Sequence, residues 1–390
     1  MGDLLVGGAS LSSLIVLGAT GSIGRQTIEV AQRIGMPVHT IAARTASDGL
    51  LELAAELPDA RVCVVDRQHR EDEFRAALGN RLHFGKGAVT EAAAHPGAIV
   101  VNGIVGAAGL APSLAALYAG NRLALANKES LVAGGPLIAQ ALANGEGELI
   151  PVDSEHSAIW QCLVGEDVDS VRRVILTASG GPFRGFSVDQ LADVTVGQAL
   201  AHPTWDMGPR ISIDSATLMN KAFEVVEAHY LFGFAYDQID VVIHPQSVVH
   251  SFVEFTDGVV KAEVGSPDMR KPIQYAITAP QRTATELPPF APADMSLSFE
   301  APDRDAFPCL DLGYEAGQRG GTATAVLNAA DEVAVGAFLD GMISFPDIAT
   351  VVGGALDAHQ AFMPSGIDAL REVDSEARSK ATEACGRISR

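Results

Sequence analysis

The chain runs to 390 residues, 47% of them hydrophobic and 19% charged, with a formal net charge of −21 at pH 7. That is too long for one compact core and too apolar for disorder, so two or three globular domains are expected. The acidic excess argues against a nucleic-acid partner or an anionic membrane surface, and it means that an anionic substrate must be held by a local cluster of donors.

Cys63, Cys162, Cys309 and Cys385 show neither zinc spacing nor a disulfide framework, which fits a cytoplasmic protein in a reducing compartment. No Lys or Arg precedes Arg25, and position 6 is Val6, so neither an export signal nor myristoylation is expected. Residues 97–120 carry no charge, but Asn102, Pro112 and several glycines interrupt them. A buried strand followed by a helix is expected there, and no membrane span.

In chain order, short apolar runs at 14–17, 38–42, 62–65, 99–101, 123–126 and 149–152 read as strands. Helical patterns at 23–34, 50–57, 71–78 and 130–143 lie between them. Such alternation predicts an α/β fold with a Rossmann-like, doubly wound parallel sheet over residues 1–150. The pattern changes after Pro151. Residues 151–285 read as a central α+β catalytic domain, with alternating runs at 248–255 and 259–264 joined at Asp257-Gly258, a hairpin signal. Residues 286–310, rich in Pro, Ala and Asp, read as a linker arm, and 311–390 as a C-terminal helical domain.

The first strand runs into Gly18-Ala-Thr-Gly21-Ser-Ile-Gly24, a G-x-x-G-x-x-G turn that opens a helix. Glycines there let the backbone approach a pyrophosphate, which then sits on the helix N-terminus. The alternative is an ordinary strand-to-helix turn. An NAD site usually carries an acid at the end of the second strand, for the ribose 2′-hydroxyl. This chain has Ala43, Arg44 and Thr45, and Arg44 suits a 2′-phosphate, so NADPH is favoured. A solvated surface arginine is the other reading.

Pro151-Val-Asp153-Ser-Glu155-His156 follows a strand, and on an extended chain Asp153 and Glu155 point to one side. Paired carboxylates call for a cation, and hard oxygen ligands suit Mg²⁺ or Mn²⁺. Glu224 can supply a third, on a helix expected from about 215 to 232 whose polar arc holds Thr217, Asn220, Lys221, Glu224 and Glu227. A solvated helix face, with Asp153 or Ser154 as a helix N-cap, explains the same residues. Thr177-Ala-Ser179-Gly-Gly181 reads as a small-residue turn, and Ser215 as the N-cap of that helix or an anion ligand; with Lys221 these make a candidate phosphate site. Ordinary capping is the alternative. His202-Pro-Thr-Trp205-Asp-Met-Gly208 reads as a lid loop over a ligand, or as a packed loop with Trp205 in the core.

These segments, together with Ala126-Asn-Lys-Glu-Ser130, Ala178-Ser-Gly-Gly-Pro-Phe183, Asp214-Ser-Ala-Thr-Leu-Met-Asn-Lys221, Ile243-His-Pro-Gln-Ser247 and Gly265-Ser-Pro-Asp-Met-Arg270, resemble the 1-deoxy-D-xylulose 5-phosphate reductoisomerase family in composition and order. The resemblance runs from about residue 13 to the C-terminal helices. It implies NADPH-dependent rearrangement and reduction of a small-molecule sugar phosphate, 1-deoxy-D-xylulose 5-phosphate, to 2-C-methyl-D-erythritol 4-phosphate, a step of the non-mevalonate isoprenoid pathway. It also implies a homodimer formed through the sheet of the central domain.

By the same resemblance Thr20, Gly21, Ser22 and Ile23 line the pyrophosphate turn, and Ala43, Arg44 and Thr45 meet the adenosine phosphate. Asn127, Glu129 and Gly208 are further cofactor contacts. Asp153, Glu155 and Glu224 are similar to the metal ligands. Lys128, Ser154 and Glu155 contact the reacting end of the substrate, while Ser179, His202, Ser215, Asn220 and Lys221 hold chiefly its phosphate end. Two departures stand out: Ala19 where Ser is frequent, and Asp206 in the lid where a small neutral residue is usual. Asp206 beside an anionic substrate is expected to slow closure or to need a partner such as Arg210.

Overall fold

A computed structural model of the chain describes residues 13–66, 70–145, 147–205 and 207–388. The expectations attached to Val6 and to Asp206 concern residues outside that description.

The chain runs β1 (Ser13–Leu17), α1 (Ser22–Ile34), β2 (Val38–Ala43), α2 (Asp48–Glu56), β3 (Arg61–Val64), α3 (Glu71–Leu78), β4 (Leu82–Phe84), α4 (Lys86–Ala93), β5 (Ala98–Asn102), α5 (Leu110–Tyr118), β6 (Arg122–Leu125), α6 (Lys128–Asn144), β7 (Glu148–Pro151) and α7 (Ser154–Leu163). It continues through β8 (Val171–Ala178), α8 (Val188–Leu191), α9 (Val196–Leu200), α10 (Pro209–Ala216), α11 (Met219–Phe232), β9 (Ile239–Ile243), β10 (Val249–Phe255), β11 (Val260–Val264) and α12 (Arg270–Thr278). Four helices close it: α13 (Cys309–Arg319), α14 (Ala323–Leu339), α15 (Asp347–Asp357) and α16 (Ile367–Ile388).

Two compact units result. The first comprises Met1–Ser130, Leu137–Ser157 and Asp268–Pro288. Its seven strands pair in parallel in the order β4-β3-β2-β1-β5-β6-β7. Leu14, Ile15, Val16 and Leu17 are wholly buried, as expected of a parallel strand covered on both faces. Strand order reverses between β1 and β5, and that is where such sheets open a crevice at their carboxyl ends. Helix α12 returns late in the chain to pack on α1 and beside β6 and β7. The strand β4 was not legible as a strand: it has three residues, too few for a period to show.

The second unit comprises Leu131–Pro136, Ala158–Pro267 and Pro289–Arg390. Its sheet has the order β11-β10-β8-β9, with β8 antiparallel to β10 and parallel to β9. The hairpin expected at Asp257-Gly258 forms between β10 and β11, with Gly258 at φ +85°. Strand β8 carries Arg172 and Arg173 directly after its first residue, Val171, and they obscure its apolar alternation. Arg173 is answered across the sheet by Glu254 of β10 and Asp240 of β9, both at 2.6 Å. Helix α11 packs on α13, and α14 on α15 and α16, so the C-terminal region is helical as expected.

Three local expectations are corrected. The single helix expected over 215–232 is two helices, α10 and α11, separated by Thr217 and by Leu218 in the left-handed region at φ +62°. Nothing in the sequence marks this break, because Leu is a good helix former and no Gly or Pro stands there. Ser215 therefore lies in the last turn of α10 and caps no helix. Asp153 and Glu155 are not on extended chain. The strand β7 ends at Pro151, Ser154 begins α7, and the Asp153 carbonyl accepts from the Ser157 N–H at 2.8 Å, the first intrahelical bond. Thr177, finally, belongs to β8 and not to the turn after it; its buried hydroxyl donates to the Val249 and His250 carbonyls.

Candidate active site

In the first unit, the Gly18–Gly24 turn joins β1 to α1. A Cβ on Gly24 would lie 2.4 Å from the Gly18 carbonyl oxygen and 2.5 Å from Ala19 Cα, so only glycine lets α1 start this close to the turn. Gly18 itself is at φ +82°, hard against Gly103 at the end of β5. The helix starts after Gly21, with no side-chain cap and no acid in its first turn. Gly21 and Ser22 are exposed, Thr20 and Ile23 half-buried. Amide N–H groups at an uncapped helix start suit an anion.

At the end of β2, Ala43 is buried and Thr45 half-buried, while the Arg44 side chain is 86% exposed. Its Nε lies 3.2 Å from Asp66 Oδ2, at the end of β3. Sequence reasoning missed Asp66, which is 22 positions away. Held through Nε, the guanidinium keeps its two terminal nitrogens for a phosphate.

Asn127 and Glu129 open α6. The Asn127 side chain accepts from the Ser130 N–H at 2.9 Å and donates to the Gly106 carbonyl at 3.1 Å and to Glu129 at 2.9 Å. Glu129 accepts from the Gly106 N–H at 3.0 Å. Both residues thereby fix the loop after β5, at the crevice. Between them stands Lys128, whose Nζ lies 2.7 Å from Asp153 Oδ2. The Ser154 hydroxyl donates to Glu155 at 2.6 Å. One charged group of Lys128, Asp153, Ser154 and Glu155 thus gathers at the carboxyl ends of β6 and β7.

In the second unit, His202 Nδ1 accepts from the Thr204 and Trp205 N–H groups at 3.1 and 2.9 Å. That fixes the tautomer: Nε2 carries the proton and donates to the Ser179 hydroxyl at 2.9 Å. Burial also holds the imidazole below its ordinary pKa, so the neutral ring is favoured. Trp205 is half-buried, and Gly208 forms the N-cap of α10. The Ser179 turn and Ser215 meet through Gly181, at φ +67°, where a Cβ would lie 2.8 Å from the Ser215 carbonyl oxygen. The Ser215 backbone thus packs against the Ser179 turn from the last turn of α10.

On α11 the expected polar arc exists, but it is not a solvated face. Lys221 is 3% exposed and Glu224 1% exposed. Glu224 accepts from Asn220 at 2.6 Å and pairs with the Lys221 ammonium. A buried carboxylate answered by an amide and an ammonium of its own helix is held ready in one position.

Three family models match the chain: 1-deoxy-D-xylulose 5-phosphate reductoisomerase over residues 14–135, its C-terminal domain over 149–232, and the DXP reductoisomerase C-terminal domain over 264–380. The 1-deoxy-D-xylulose 5-phosphate reductoisomerase of Desulforamulus reducens is 45% identical over 382 residues, 96% of this chain and 98% of the relative. That of Heliobacterium modesticaldum is 46% identical over 385 residues, again 96% and 98%. Among solved structures, the enzyme from Zymomonas mobilis in complex with NADPH aligns with a TM-score of 0.90 at 40% identity, covering 96% of this chain and 98% of that one. A DOX-P reductoisomerase in complex with NADPH, fosmidomycin and magnesium aligns with a TM-score of 0.90 at 38% identity, with the same coverage.

Proposed function

The chain belongs to the 1-deoxy-D-xylulose 5-phosphate reductoisomerase family, and on that premise we propose that it rearranges and reduces 1-deoxy-D-xylulose 5-phosphate to 2-C-methyl-D-erythritol 4-phosphate, using NADPH and a divalent cation, in isoprenoid precursor synthesis. The observation that carries the reading is the full-length family match.

The residues present fit both cofactors. The Gly18–Gly24 cradle, the uncapped start of α1 and the exposed Arg44 suit a dinucleotide bearing a 2′-phosphate. Thr20, Gly21, Ser22 and Ile23 take the pyrophosphate, and Ala43, Arg44 and Thr45 the adenosine phosphate. Asn127, Glu129 and Gly208 complete the nucleotide's contacts. Asp153, Glu155 and Glu224 hold Mg²⁺ or Mn²⁺. Each offers a hard carboxylate, and each is oriented by a donor of its own unit: Lys128 for Asp153, Ser154 for Glu155, and Asn220 with Lys221 for Glu224. When bound, the cation polarises the substrate ketone and adjacent hydroxyl, and the nicotinamide supplies the hydride.

The chain's own residues do the rest. Lys128 stabilises negative charge developing at the reacting oxygen and carries a proton there. Ser154 and Glu155 bind the neighbouring hydroxyls. Ser179, Ser215, Asn220 and Lys221 take the phosphate end, with His202 donating through Nε2, and these remote contacts align the reacting carbons. The His202–Gly208 segment excludes water as a lid.

We also place the working form as a homodimer through the second sheet, where Val260 and Val264 of the edge strand β11 are exposed; sedimentation tests this. Cys63, Cys162, Cys309 and Cys385 are free thiols, which supports a cytoplasmic setting. Among the described residues, no helix is long and apolar enough to cross a membrane.

The test is to incubate the chain with 1-deoxy-D-xylulose 5-phosphate, NADPH and Mn²⁺ and to identify the carbon skeleton formed. A branched tetrol phosphate, with one NADPH oxidised per product, is expected. A straight-chain reduced sugar phosphate would make the protein a simple reductase.

A further inference from the structure

Helix α10 carries a charged cluster that no step of the proposed reaction uses. Arg210 sits one turn before Asp214, with Nε 3.7 Å from a carboxylate oxygen. Its terminal nitrogens reach α14: Nη2 donates to Asn328 Oδ1 at 2.9 Å and lies 3.4 Å from Asp331 Oδ2, and Nη1 lies 3.4 Å from Glu332. Glu332 is held in turn by Arg378 of α16 at 2.7 Å. Asn328 and Asp331 are wholly buried, and Asp214 nearly so. On α13, Cys309 is buried as well.

Such a cluster fixes position. A planar guanidinium with acceptors on its several N–H groups admits little rotation. Buried carboxylates cannot leave their cation without a large desolvation penalty. The helix locked in this way begins at Gly208, where the His202–Gly208 segment ends. Its last turn carries the Ser215 carbonyl, against which Gly181 of the Ser179 turn is packed without room for a Cβ. Displacing α10 therefore displaces one end of the lid and one wall of the anion turn together.

We propose that Arg210 is a positioning residue for the phosphate end of the substrate: by bridging Asp214 of α10 to Asn328 and Asp331 of α14, it sets where Ser215 and the His202–Gly208 segment stand. This rests on the reading of Ser215 and His202 as phosphate-end residues.

The experiment compares wild type with Arg210→Lys, Arg210→Met, Arg210→Met/Asp331→Asn, Ser215→Ala and Arg210→Met/Ser215→Ala, in steady-state kinetics and thermal melting. Arg210→Met leaves two buried carboxylates without their guanidinium and is expected to lower Tm. The Asp331→Asn partner removes one of those charges and should recover much of the Tm. If Arg210 positions α10, KM for the sugar phosphate stays raised in that recovered variant, by about tenfold, and the Ki of inorganic phosphate rises with it. Arg210→Lys restores only part, because one ammonium cannot span the four acceptors. KM for NADPH should rise much less, because among the nucleotide's proposed contacts only Gly208 adjoins α10. The effects of Arg210→Met and Ser215→Ala should be strongly non-additive, because both act on the same contact. Recovery of KM together with Tm in Arg210→Met/Asp331→Asn would overturn the proposal and leave Arg210 a charge compensator. Unchanged KM in Ser215→Ala would instead remove Ser215 from the phosphate site, and with it the reading on which the proposal stands.

Discussion

At the scale of single residues, the cofactor preference is proposed to turn on Arg44. Its side chain is exposed apart from the contact with Asp66, so that ion pair adds little to stability and serves to orient. Arg44→Ala is expected to weaken NADPH by roughly 1–3 kcal/mol while leaving NADH nearly unchanged. Equal losses for both nucleotides would put the 2′-phosphate elsewhere. Arg44 was legible in the sequence, since it stands at a fixed place after the second strand. Asp66 was not, because its partnership depends on how β3 pairs with β2.

Asp331 makes a prediction of a different kind. Burial pushes its carboxyl up to about 6, against the opposing pull of Arg210 and Asp214. A carboxyl whose folded pKa is raised favours the protonated native state. Its contribution to stability is complete below the ordinary value of 3.8 and is lost as pH rises through about 6. Between pH 5 and 7.5 wild type should therefore lose stability relative to Asp331→Asn, on the order of 1–3 kcal/mol, read from urea midpoints. Parallel pH profiles for the two proteins would show that Asp331 does not titrate in this range. The Arg210–Asp214 spacing is visible along the chain, but its partners at 328 and 331 lie 118 and 121 positions away, and nothing local announces them.

At the scale of elements, the parallel strands of the first sheet were legible because strands buried on both faces are continuous apolar runs. Legibility failed where a tertiary partner overrides a local preference. Leu218 is held left-handed between α10 and α11, and Arg173 is tolerated in β8 because Glu254 and Asp240 answer it. The same logic placed Asp153 and Glu155 on extended chain, although both belong to the start of α7. The glycine turn is the converse case, where sequence and geometry agree. Gly24→Ala puts a methyl 2.4 Å from a carbonyl oxygen, so α1 must retreat from the turn. The expected result is a large loss of NADPH affinity by fluorescence titration, with Mn²⁺ binding retained. Normal nucleotide affinity in Gly24→Ala would place the pyrophosphate away from α1.

At the scale of the whole molecule, the candidate site residues could be proposed from the chain because they fall in contiguous motifs, each built on one turn or one helix start. What the chain alone did not give was the burial of Lys221 and Glu224, which turns an apparent surface face into an enclosed ion pair. The central claim is that Asp153, Glu155 and Glu224 serve one cation, with the phosphate residues set to take the far end of the same ligand. A single molecule carrying a hydroxamate and a phosphonate a few carbons apart tests it most directly, by calorimetry with wild type and Glu224→Gln, with and without Mn²⁺. The account predicts tight binding to wild type that depends on the metal, and a marked loss in Glu224→Gln while NADPH still binds. Binding that ignores Mn²⁺, or a Glu224→Gln variant that binds as wild type does, would contradict it.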